Sequence, residues 1–175
     1  MTAAAPAQSV VGRRSLAVAF VALVGAGGLA ALAVLVVPAL GDSVYPEAPR
    51  ATLAGAGAPL ELLVHNSAVA LWPLCLLALD WHAIPVVRRI GDGLIAAQLT
   101  LHGASVGAAL ATWPHLVRWL PHLPAEYCAI ALPCAAWIGA RQGRPPRTSE
   151  LRRVAGATAC LLAPAAALET WGTPS

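Results

Sequence analysis

Lysine is missing from this 175-residue chain, and all eleven basic residues are arginine. Charge of either sign is scarce, at 11% of residues. A soluble domain carries charge on roughly a quarter to a third of its surface, so this scarcity excludes an ordinary water-exposed fold. The sequence has no HExxH and no Walker-type loop, which removes the familiar frames of metalloproteases and P-loop NTPases. Its four cysteines, Cys75, Cys128, Cys134 and Cys160, lack a CxxC or other metal-ligand spacing, and each falls in an apolar run. Free thiols facing lipid or bundle are the plain reading, and they leave the redox compartment open. The absence of lysine, with heavy use of Ala, Gly and Pro, points to the coding bias of a GC-rich bacterium.

Hydrophobic residues are abundant, at 58% of the chain, with a mean hydropathy of +0.70. The composition is that of an integral membrane protein: an all-α, polytopic bundle of five transmembrane helices in a single domain, multi-pass in the plasma or inner membrane. The expected spans cover about 15–40, 60–79, 94–113, 120–139 and 154–170, behind a disordered cytoplasmic tail at 1–14. A cleaved signal peptide is the rival reading of the first run, but that run exceeds an h-region of about 7 to 15 residues and fits an uncleaved anchor better. The third span contains Gly103-Ala-Ser-Val-Gly107, a GxxxG spacing through which another helix backbone can approach, with His102 beside it as a bridging residue.

Arginine distribution sets the expected orientation. The N-terminal tail, the loop after span two and the loop after span four hold two, two and five arginines, against Arg50 and Arg118 on the other side. By the positive-inside rule the N-terminus is cytoplasmic and, with five spans, the C-terminus extracytoplasmic. Arginines clustered this way read as topology signals, so nucleic acid is not an expected partner.

On this topology Glu61, His65, Asn66, His122, Glu126 and Glu169 share one outer-leaflet layer, although they span more than a hundred residues of sequence. Glu126 lies roughly 9 Å below Leu120 at 1.5 Å per residue, deep enough that exposure to lipid would be costly. Glu61 with His65, and His122 with Glu126, are i,i+4 neighbours on a helical face. Three chemistries can use such a layer: a zinc site drawn from His65, His122 and Glu126, acid-base work by paired carboxylates, or binding of a polar ligand. Interhelical hydrogen bonding is the simpler reading and is preferred here, since no catalytic frame accompanies these groups and no cofactor is expected.

Four local patterns carry a family resemblance. They are Leu63-Val64-His65-Asn66 at the entrance of a span, His102-Gly103-Ala104-Ser105-Val106-Gly107, Pro121-His122-x-x-x-Glu126, and a closing Glu169 followed by Pro174. In their order and spacing the chain resembles the stage II sporulation protein M family from span two to the C-terminus. His102 stands where the family has asparagine, and Leu123 stands where glycine usually follows Pro-His. The resemblance implies about five spans and a membrane scaffold that localises cell-envelope or peptidoglycan-degrading partners. The expected contacts of the chain are the lipid bilayer and other membrane or extracytoplasmic proteins, with a homo-oligomer left open. The alternative from another class is a permease, or a metal- or proton-dependent membrane component, using His122, Glu126 and Glu169.

Overall fold

A run of about twenty apolar residues in lipid must satisfy its backbone hydrogen bonds internally, and a helix does so. The computed structural model describes residues 9–44, 58–144 and 146–171. It is all-α, with helices α1 (Arg13–Val36), α2 (Pro38–Val44), α3 (Ala58–Ala78), α4 (Pro85–Thr112), α5 (Leu123–Arg141) and α6 (Thr148–Trp171). Two 3-10 segments, Trp81–Ala83 and Pro114–His122, connect α3 to α4 and α4 to α5. All but the short α2 are long and apolar enough to cross a membrane, and this architecture fits a multi-pass membrane protein.

Polar residues at the helix ends displace the boundaries from those read off hydropathy. Helix α4 starts at Pro85, ahead of the apolar run at Leu94, because charged side chains at a membrane surface do not interrupt backbone bonding and proline favours a first turn. Arg88, Arg89 and Asp92 are therefore helical rather than part of a loop. Helix α1 ends at Val36 and the chain restarts as α2 at Pro38, since proline lacks the N–H that continuation requires. Helix α5 closes at Gly143, whose φ of 79° permits a left-handed turn; Gly143 N–H donates to Ala140 O and Arg144 N–H to Gly139 O. Of the N-terminal tail, residues 1–8 lie outside the described residues, whereas Val10 is fully buried and packs its backbone on Gly139.

Small residues decide how α1 and α4 meet. The buried positions of α1 include Ser15, Ala19, Leu23 and Gly27, and those of α4 include Ile95, Leu99, Gly103 and Gly107, each 80 positions further along. A Cβ on Gly103 would strike the Leu23 carbonyl, and one on Gly107 the Gly27 carbonyl. Residue numbers rise together on the two helices, so α1 and α4 run parallel, as a first and a third span must. The GxxxG expectation holds, and its partner is α1.

Helix α5 is the centre of the bundle. Half of its span is buried, against 22 to 33% for the others, and Ala129, Ala131, Cys134, Ala135, Ala136 and Trp137 are enclosed. Small side chains on nearly every face let α1, α3 and α6 pack around it. The outer faces of the bundle stay apolar: Val21, Leu29, Leu35 and Val36 are each at least 67% exposed, a surface suited to hydrocarbon rather than water. All four cysteines are free thiols.

Candidate functional site

Glu126 stands in the first turn of α5 and is 8% exposed. Its Oε1 accepts a hydrogen bond from Asn66 Nδ2 of α3 at 3.1 Å. Its Oε2 lies 4.0 Å from His122 Nε2, at the end of the 3-10 segment that leads into the helix. A carboxylate withdrawn from water costs several kcal/mol unless it is paired or hydrogen-bonded. Here the Asn66 amide of α3 supplies a hydrogen bond, and the His122 imidazole stands at the outer limit of ion-pair distance, where it pairs with the carboxylate when protonated.

Asn66 and Glu126 also line a cavity of about 170 Å³, together with His65 and Val69 of α3, His102 of α4, Ile130 of α5 and Leu162 of α6. Four helices thus contribute to one enclosure. The His102 ring meets the edge of Tyr127 at 5.7 Å and 61° between planes. Its Nε2 is buried and has no hydrogen-bond partner among the described residues. At about 30 Å³ per water the cavity has room for roughly five waters or a small polar molecule.

Of the six residues expected in one layer, the structure brings together His65, Asn66, His122 and Glu126. Glu61, one turn before His65, is exposed and does not line the cavity. Glu169 falls in the last turn of α6, and its side chain lies outside the described residues, as do residues 172–175 with the closing proline. Among the described residues no three His, Cys, Asp or Glu side chains come together as a metal site, so His65, His122 and Glu126 do not form a zinc centre there.

His102 joins this site although its sequence neighbourhood speaks for helix packing. Adjacent residues on a helix are separated by about 100°, so Gly103 turns to α1 while His102 can turn to α5. That angular offset was the available signal.

Nearby, Gln98 of α4 donates from Nε2 to the Val69 carbonyl at 2.9 Å and accepts from Trp72 Nε1 at 2.7 Å. The two bonds tie α4 to α3 beside the cavity. At the opposite end of the bundle Asp92 of α4 accepts from Trp137 Nε1 at 2.9 Å and from Arg141 Nε at 3.0 Å. Trp137 is 1% exposed, so it packs in the core and is also a donor. Gly91 leaves room for its ring, since a Cβ there would strike the indole. Helices α4 and α5 are therefore joined by polar bonds near one end and share a polar cavity near the other.

Compared with known proteins, the chain matches no family model, no curated sequence and no solved structure. Fold and site together define an all-α protein with five helices of membrane-spanning length, built around a buried carboxylate that two other segments hold.

Proposed function

We propose that this protein is a plasma-membrane scaffold of the stage II sporulation protein M type, with its N-terminus cytoplasmic and its C-terminus extracytoplasmic. In this role it holds cell-envelope partners, peptidoglycan-remodelling proteins foremost, at the outer face of the membrane. One observation carries the proposal: three separated patterns that underlie the resemblance, those of Asn66, His102 and His122 with Glu126, meet in one place. Residues scattered over sixty positions come into contact with or line one cavity, which favours a common origin for the patterns over chance. The Asn66–Glu126 bond satisfies polar groups within the chain, as a structural junction requires. The test is crosslinking in intact membranes followed by capture of the full chain. Enrichment of wall hydrolases or their membrane partners supports the scaffold, and enrichment of transporter subunits overturns it.

The unpartnered Nε2 of His102, on the wall of a cavity that also holds Glu126, favours a second reading, a permease or ligand-binding component. An orphaned polar atom beside roomy space is where a water or ligand would sit. Transport of a small polar solute by the purified chain in liposomes, abolished by His102→Leu, would establish it.

A further inference from the structure

A second and larger hollow, of about 490 Å³, lies between the end of α3 and the start of α6, away from the Glu126 cavity. Leu71, Leu74 and Leu77 of α3 and Leu151 of α6 line it, and Asp80 and Arg152 contribute charge to its wall. The three α3 leucines repeat at three-residue spacing along about 9 Å of helix. Leu74, Leu77 and Leu151 are nearly enclosed, whereas Asp80 and Arg152 are exposed. The groove is thus apolar within and charged at its edge.

We propose that this groove is a binding site for an anionic phospholipid, with an acyl chain along the leucines and the phosphodiester against Arg152. Two observations select that occupant. The walls belong to two helices of membrane-spanning length, so the apolar interior opens where hydrocarbon is the solvent. Of the two charged residues on the groove wall, Asp80 and Arg152, Arg152 makes no hydrogen bond or ion pair among the described residues, and Arg147 and Arg153 are exposed close by in sequence. Against them stand Asp80 and Glu150, whose Oε2 already accepts from the Arg147 backbone N–H at 3.4 Å. Helix α6 also begins at this edge, with Thr148 in the groove wall, and a helix start favours negative charge. A zwitterionic headgroup would bring an added cation to this edge, and an uncharged partner helix would leave Arg152 without a counter-charge. Basic sites between spanning helices are a recurrent means of holding anionic headgroups.

The inference needs only that the chain crosses a bilayer; it is independent of the scaffold role. The test uses the full chain in nanodiscs containing trace diazirine-tagged phosphatidylglycerol, or phosphatidylcholine with the same tagged chain, followed by peptide mapping of the photolabel. Labelling by phosphatidylglycerol should concentrate on residues 71–80 and 148–155 and exceed that by phosphatidylcholine. Arg152→Gln should reduce this excess about fivefold, and Asp80→Asn should increase it. Both side chains are exposed, so both variants should fold, and unchanged size-exclusion and thermal-melting profiles would verify this. Equal labelling by the two lipids, labelling spread evenly over the five long helices, an Arg152→Gln excess equal to that of the parent, or protein–protein crosslinks occupying the groove in place of lipid would overturn the proposal.

Discussion

Asn66, the only asparagine in the chain, donates its side-chain amide to the Glu126 carboxylate across 3.1 Å and so fastens α3 to α5. An interhelical bond of this kind contributes about 0.6 to 2 kcal/mol in a membrane protein. Asn66→Ala should lower stability in detergent by roughly that amount. Asn66→Asp should cost more, because it sets a second carboxylate against the first. Thermal unfolding of the two variants checks the order, and a double-mutant cycle with Glu126→Gln isolates the pair.

The parallel contact of α1 and α4 makes a sharper demand. Gly107→Ala drives a methyl group into the Gly27 carbonyl, and the overpacking should cost about 1 to 3 kcal/mol. Gly28→Ala is the matched control: it sits one residue further along α1 with open space around its Cβ position. That change should be neutral or stabilising by about 0.5 to 1 kcal/mol through helix propensity. Opposite signs in the two melting curves are the expected outcome.

Asp92 joins Trp137 and Arg141 at the other end of the bundle. Asp92→Ala strands the buried indole N–H and should destabilise by about 1 to 3 kcal/mol, whereas Asp92→Asn keeps an acceptor and should lose less. Denaturant unfolding would give the stability ranking. A shift in tryptophan emission in the Ala variant, absent when Trp137 is also replaced by Phe, would assign the change to that indole.

These relationships were unequally legible in the sequence. Hydropathy alone disclosed the five long helices, because length and apolarity suffice to specify a spanning segment. Arg88, Arg89 and Asp92 stand ahead of the apolar run that begins at Leu94, yet at a membrane surface charge and helix coexist, so hydropathy gives the span and not the start of α4 at Pro85. The grouping of His65, Asn66, His122 and Glu126 followed from topology, since alternate crossing returns the starts of α3 and α5 to one end. What topology could not supply was rotation about each helix axis. Glu61 was included although it is exposed and does not line the cavity, and His102 was assigned to packing although it lines the same cavity as Glu126.

The orientation proposed from the arginines has its own test. Reporter fusions should show the N-terminus on the cytoplasmic side and the C-terminus outside. Replacing Arg141, Arg144, Arg147, Arg152 and Arg153 with glutamine should weaken that preference, whereas the same change at Arg13 and Arg14 alone should leave the larger bias of the 141–153 segment in place.

The role of Glu126 is the point on which the account turns, and capture of crosslinked partners by Glu126→Gln and Glu126→Ala chains in native membranes tests it most directly. Glutamine keeps an acceptor for Asn66, so the Gln variant should fold and capture the same proteins as the parent, while the Ala variant should lose stability and captured proteins together. A Gln variant that is folded and as stable as the parent but captures none of those partners would contradict a structural role and assign the carboxylate a chemical one.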